Sequence, residues 1–270
     1  MLLARFITAV IALAAVLIVL FVLPASVIPP VVLLVVSAAA WEWSALAQLT
    51  SIPLRAAYAL GIVGLCTWLW LAPPDQYFGP LLGVSAIWWL CAFIAVTRYP
   101  ARPGRWLAVI GGVLTLVPTF VFLKALAFYP NTGAITGPAL LLFVLVSIWG
   151  TDVGGYFAGK YLGKRKLSPH VSPNKTWAGV IGGLMVCALV GLVGSALFDL
   201  AWFRLVPLCV ATGIVSIVGD LTVSLFKREA GLKDSGVLFP GHGGVLDRID
   251  SIAAGTPVFV AGIFLGHGAW

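Results

Sequence analysis

Continuity is the feature that most constrains this chain. Nine apolar stretches, each near the roughly 20 residues a helix needs to cross the hydrocarbon of a bilayer, follow one another along it. They cover approximately 5–23, 28–49, 54–72, 80–98, 106–128, 136–160, 176–198, 203–226 and 249–268. Prolines mark many of the breaks, among them Pro24, Pro29, Pro53, Pro73, Pro130 and Pro173. Such a chain cannot cover itself with polar surface in water. It is 61% hydrophobic and 9% charged, against about 25% charged in a soluble domain. In lipid, every backbone polar group must find its partner within the protein, which leaves helices or a closed barrel. The runs are unbroken rather than alternating, so helices are expected. The fold class is therefore an all-α polytopic membrane protein with about nine transmembrane helices.

The basic residues orient it. Arg5 precedes the first span, and Arg55 lies between the second and third. Arg98, Arg102 and Arg105 follow the fourth, and Lys160, Lys164, Arg165, Lys166 and Lys175 follow the sixth. Lys227, Arg228, Lys233 and Arg248 follow the eighth. These alternating loops share one side and hold all but Lys124 and Arg204 of the 16 basic residues. That bias puts the N-terminus in the cytoplasm and the C-terminus on the opposite side. The net charge of +7 sits in loops, so anionic lipid and phosphate ligands are expected, and nucleic acid is not. The first apolar run lacks a small-residue cleavage site before the next begins, so a retained helix is expected rather than a signal peptide. Cys66, Cys91, Cys187 and Cys209 lie in apolar runs without CxxC pairing and read as buried, unpaired thiols.

Acids are scarce, so their positions carry information. Glu42, Asp152 and Asp220 fall inside spans, where a carboxylate is costly unless it is paired or faces a polar cavity. Asp220, Ser224 and Lys227 stand at i, i+4 and i+7, on one helical face near the cytoplasmic end of the eighth span. The bland alternative is an Asp220–Lys227 pair within that helix. The loop beyond adds Arg228, Lys233, Asp234, Gly241, His242, Gly243 and Gly244, and the ninth span opens with Asp247, Arg248, Asp250 and Ser251. Glycines let backbone N–H groups approach a phosphate closely, and a helix start adds its positive end. Carboxylates beside several cations suit Mg²⁺ with a polyphosphate: oxygen ligands for the hard ion, Lys and Arg for the remaining charge. His242 is placed to donate to a phosphate oxygen or to move a proton.

A second polar cluster lies on the same side. Asp152 and Tyr156 share a helical face beside Gly154, Gly155 and Gly159, which permit close helix packing. Lys164–Lys166 read as a positive-inside determinant. Ser172, Asn174 and Lys175 read as the cap opening the seventh helix, presenting N–H groups and a cation to an anion.

Ser224-Leu225-Phe226-Lys227-Arg228, Lys233-Asp234-Ser235-Gly236, Pro240-Gly241-His242-Gly243-Gly244 and Leu246-Asp247-Arg248-Ile249-Asp250 together resemble the signature of the phosphatidate cytidylyltransferases, or CDP-diacylglycerol synthases. Asp152 to Lys160 and Ser172-Pro173-Asn174-Lys175-Thr176-Trp177 also look like that family. One position departs: Ala178 stands where the family usually has Glu. The resemblance implies transfer of CMP from CTP (or dCTP) to phosphatidic acid, releasing pyrophosphate. It implies Mg²⁺, with room for a second, monovalent ion. Asp220 and Asp247 are the expected metal ligands, with Asp250 close by and His242 beside the reaction. Ser224, Lys227, Arg228, Lys233, Asp234, Gly241, Gly243, Gly244, Arg248, Lys175, Ser172 and Asn174 are expected around the phosphates, supported by Asp152 and Tyr156. The whole chain, 1–270, is expected to be one integral membrane domain: five helices as an N-terminal bundle and 136–270 as the catalytic half. The expected location is a bacterial inner membrane, with the site facing the cytoplasm. The oligomeric state stays open, a homodimer being one arrangement the sequence allows.

Three other readings share part of this pattern. A cytidylyltransferase for another lipid phosphate shares the chemistry. CDP-alcohol phosphotransferases need a DGxxAR…GxxxDxxxD pattern that the chain lacks. A transporter also places acids inside the membrane but has no need for the Lys-Asp…Gly-Gly…Asp-Arg constellation.

Overall fold

The computed structural model describes residues 2–100, 104–132, 135–236 and 243–265, with side chains from Val10 onward. Among these residues the chain forms nine long helices: α1 (Leu2–Phe21), α2 (Ile28–Leu46), α3 (Ile52–Leu71), α4 (Pro74–Arg98), α5 (Arg105–Ala127), α6 (Gly137–Leu162), α7 (Trp177–Phe198), α8 (Trp202–Glu229) and α9 (Leu246–Leu265). From the second onward all are long and apolar enough to cross a membrane, and the described part of α1, Val10–Phe21, is a shorter apolar helix. This is the all-α polytopic membrane architecture expected from the apolar runs. The lipid-facing surface is visible in α7, where Ile181, Met185 and Leu189, one turn apart, are 59%, 63% and 59% exposed. Apolar side chains turned outward at that spacing require an apolar solvent.

Helices α6, α7, α8 and α9 pack in sequence, while α2, α3 and α5 form a second group joined to the first through α5–α9 and α4–α8 contacts. Small residues bring the first group together. A Cβ on Gly154 would meet Val186 and the Gly182 carbonyl of α7, and one on Gly182 would meet Ala158 of α6. Gly219 does the same between α8 and α9, where a Cβ would strike the Asp250 carbonyl and Ala254. In lipid, where apolar contact with a neighbouring helix gains nothing over contact with acyl chains, such close approach lets backbones attract one another. Its consequence is that Asp152, Asp220 and Asp250 come to neighbouring positions at one end of the bundle.

Two features differ from the sequence reading. Ser172–Lys175 does not cap a helix. It belongs to β2 (Ser172–Thr176), antiparallel to β1 (Lys166–Ser168), with Lys166 opposite Thr176 and Ser168 opposite Ser172. The cap of α7 is Thr176, whose hydroxyl oxygen accepts from the Gly179 N–H (3.1 Å). Pro173 is tolerated because a two-stranded ribbon leaves its outer edges unpaired. The hairpin is seated by Val171, fully buried in a small cluster with Val96, Leu221 and Leu225. The second difference is Cys91. It is exposed on α4, whereas Cys66, Cys187 and Cys209 are buried as expected, and all four are unpaired. The tryptophans divide similarly: Trp43, Trp88 and Trp89 pack in the core, and Trp68 faces outward.

Candidate active site

A cavity of about 840 Å³ opens where α6, the hairpin, α8 and the start of α9 meet. That size suits a small-molecule ligand of nucleotide dimensions. Its wall includes Asp152, Tyr156, Asn174, Lys175, Asp220, Lys227, Asp234, Asp247, Arg248 and Asp250, all singled out from the sequence. The two polar segments, 68 residues apart at Asp152 and Asp220, are thus one site. Lys160, Lys166 and Ser251 also line it, with Leu167, Val180 and Ile217 as apolar wall.

Two acid–lysine pairs organise the polar side. Lys175 Nζ reaches Asp220 Oδ2 at 2.8 Å, with the two side chains 23% and 31% exposed. Lys227 Nζ donates to Asp247 Oδ1 at 2.7 Å, and there the figures are 12% and 9%. The helical spacing of Asp220 and Lys227 therefore does not signal a pair between them; each takes a partner from another element. Ser224, one turn beyond Asp220, donates to Asp220 Oδ1 (3.2 Å) from behind the wall, so the shared face holds as far as the hydroxyl. Asp247 Oδ2 accepts from the Ser235 N–H (3.0 Å) and the Gly244 N–H (3.2 Å). Asp247 thus ties the loop before α9 to the cavity wall.

Asp250, 7% exposed, feels the negative charge of both Asp152 and Asp220, with Lys175 as the cation acting on it. Arg248 acts in the same sense on Asp152. Ser251 ties this group together: its N–H donates to Asp250 Oδ1 (2.7 Å), and its hydroxyl donates to Asp152 Oδ1 (3.5 Å). A wall with three neighbouring carboxylates and several cations has the donor chemistry for a hard divalent ion bridging to phosphate oxygens. Among the described residues no three His, Cys, Asp or Glu side chains converge on one point as they stand. A carboxylate offers about four acceptor sites. The bonds just described engage Asp220 twice and Asp247 three times, so both retain acceptor capacity beside their lysines.

Other expected site residues lie off the wall. Arg228 Nε donates to the Val171 carbonyl (3.3 Å) and so fastens the hairpin to α8. Lys233 is exposed in the loop, Ser172 starts β2, and Gly243 takes a positive φ of 80° against Asp247. Gly241 and His242 lie outside the described residues. Ala178 does not line the cavity. The sequence reading missed Lys160 and Lys166 as wall residues. Lys166 reads from the sequence as a topology determinant; the signal for its other role is Pro169, which turns the chain between two short extended pieces.

Comparison with known proteins adds to this geometry. The chain matches the cytidylyltransferase family over residues 3–265. It is 42% identical over 234 residues to a phosphatidate cytidylyltransferase of Pseudomonas aeruginosa, covering 84% of each chain. It is 38% identical over 241 residues to one of Haemophilus influenzae, covering 81% of this chain and 83% of that one. A Brucella suis phosphatidate cytidylyltransferase is 38% identical over 192 residues, 69% of this chain and 68% of its own.

Proposed function

This chain belongs to the cytidylyltransferase family, and from that premise we infer that it transfers the cytidylyl group of CTP to phosphatidic acid, forming CDP-diacylglycerol and pyrophosphate. The observation that supports this site for that reaction is the joining of both polar segments around one cavity at a bundle end. Five basic side chains (Lys160, Lys166, Lys175, Lys227, Arg248) and five acids (Asp152, Asp220, Asp234, Asp247, Asp250) share its wall. A triphosphate and a lipid phosphate bring more negative charge than these basic groups leave uncompensated. A divalent cation is the economical remedy.

In the reaction, a phosphate oxygen of phosphatidic acid attacks the α-phosphorus of CTP. The new P–O bond forms as the bond to the β-phosphate oxygen breaks, and pyrophosphate departs with that electron pair. The nucleophile is already an anion, so no strong base is needed, and positioning and charge neutralisation carry the catalysis. Lys175, on the more open pair, is placed to exchange Asp220 for a phosphate oxygen. Lys160, Lys166, Asn174 and Arg248 line the same wall. Lys227 is held by Asp247 and presents a fixed charge. Asp220 and Asp247 would hold Mg²⁺, with Asp250 adjacent; such an ion would supply neutralisation of the triphosphate. Leu167, Val180 and Ile217 give the cavity an apolar side toward which a lipid tail can lie. The bias of basic residues toward one set of loops supports a cavity that faces the cytoplasm from a bacterial inner membrane, where CTP is found.

Purified protein supplied with CTP, phosphatidic acid and Mg²⁺ is expected to release pyrophosphate, to stop on addition of EDTA and to resume with excess Mg²⁺. Full turnover in EDTA would remove the metal from this reading. Pyrophosphate release that needs a different lipid phosphate would move the substrate assignment.

A further inference from the structure

The loop that brings Asp247 to the cavity is held from a helix that takes no part in the cavity wall. Glu42 on α2 is 6% exposed. Its carboxylate accepts from the Ser235 hydroxyl (2.9 Å), the Val245 N–H (3.0 Å) and the Leu246 N–H (2.8 Å). The Ser235 and Gly244 amides then donate to Asp247 Oδ2, and Asp247 Oδ1 takes Lys227. A continuous hydrogen-bonded chain thus runs from Glu42 to Lys227.

The surroundings are shaped for this contact. A Cβ on Gly236 or on Gly244 would collide with the Glu42 carboxylate, so glycine lets the loop close around it. Leu246 begins α9, so an anion from another helix sits on the positive end of that helix. The α2 segment is itself fixed. Trp43 Nε1 donates to the Ala108 carbonyl (2.8 Å), and Arg55 donates to the Ser44 hydroxyl (2.8 Å) and the Trp41 carbonyl (3.1 Å). An acid inside a membrane protein is costly unless it has a task, and Glu42 does not touch the cavity.

We propose that Glu42 is a positioning residue for cytidylyl transfer, acting through Ser235 and Gly244 to fix Asp247 and, with it, the Lys227 ammonium. The inference rests on Asp247 and Lys227 belonging to the catalytic site.

The test is Glu42→Gln, nearly isosteric but without the second anionic oxygen, assayed by pyrophosphate release from CTP and phosphatidic acid with Mg²⁺. Misplacement of a catalytic group by about 1 Å costs about 10²-fold, so kcat is expected to fall by about that factor while KM for CTP moves by less than about threefold. Ser235→Ala is expected to lower kcat by about tenfold, and the double variant to be little worse than Glu42→Gln alone, as for residues acting in one network. Trp43→Phe keeps an aromatic ring against Phe226 but removes the indole bond to the Ala108 carbonyl, and supplies the reference for a structural effect. A kcat for Glu42→Gln within about threefold of the parent overturns the proposal. So does a loss matched by Trp43→Phe at the same fall in melting temperature. Should Glu42→Gln fail to fold, an unchanged kcat in Ser235→Ala overturns it. Asp247→Asn, run alongside, separates the premises: if it keeps its turnover, the site assignment has failed rather than the positioning role.

Discussion

The two acid–lysine pairs of the cavity are alike in composition and opposite in construction. Lys175–Asp220 joins a hairpin to α8, and its side chains are 23% and 31% exposed. Lys227–Asp247 joins α8 to α9 at 12% and 9%, with two backbone N–H groups on the acid and Glu42 behind them. An exposed pair contributes about 0–1 kcal/mol and exchanges partners readily. A buried pair costs several kcal/mol when one partner is removed, because the other is left charged and unsolvated. The difference suggests a division of labour: one side of the cavity yields to phosphate, and the other holds still.

The largest expected effect uses both acids. Asp220→Asn and Asp247→Asn should each lower kcat by at least about 10³-fold if both carry charge that the reaction requires. Their stabilities should diverge. Asp247→Asn leaves Lys227 without its carboxylate and the Ser235 and Gly244 amides with a weaker acceptor, and is expected to cost about 1–3 kcal/mol, seen as a clear drop in melting temperature. Asp220→Asn should melt close to the parent. Equal melting temperatures would break the comparison, and near-normal turnover at saturating Mg²⁺ in either variant would end its metal assignment.

The comparison also separates what the sequence displays from what it hides. The spans are legible because apolarity is uniform along each; α2 to α9 begin and end within about three residues of the apolar runs, except that α4 starts at Pro74, ahead of the run expected from 80. Asp220 and Ser224 are legible because a helix places i and i+4 together. The hairpin is not: strands of three and five residues, one containing Pro173, carry no alternation to read, and Ser172–Lys175 passes for a helix cap. Glu42 stands out as an acid inside a span, but its partners Ser235 and Leu246 are 193 and 204 residues away, beyond any spacing argument. Lys227 shows the limit of helical spacing even where it applies. It shares a face with Asp220, yet the stronger partner comes from the next helix.

The lysines should sharpen the contrast by a smaller margin. Lys227→Met removes a fixed charge from the held side, so kcat is expected to fall by about 10²-fold with little change in KM for CTP. Lys175→Met removes a group that meets the substrate from the yielding side. Its signature is a rise of about tenfold in KM for CTP with a lesser change in kcat, the pattern of lost ground-state binding. Steady-state kinetics over a CTP series distinguishes the two. The reverse assignment of KM and kcat effects would exchange the roles of the two sides.

The smallest effect is expected at Ser224. Its hydroxyl donates to Asp220 Oδ1 at 3.2 Å, while Lys175 holds the other oxygen. A single hydrogen bond contributes about 1 kcal/mol net, or about fivefold, when its loss leaves the acceptor a second partner. Ser224→Ala should therefore reduce kcat by no more than about fivefold while Lys175 keeps Asp220 in place. In a Lys175→Met background, Asp220 loses both side-chain contacts, so the same substitution should cost more than it does alone. Strict additivity would mean that Ser224 and Lys175 do not hold Asp220 jointly, and that the open pair is ordered by something other than these two contacts.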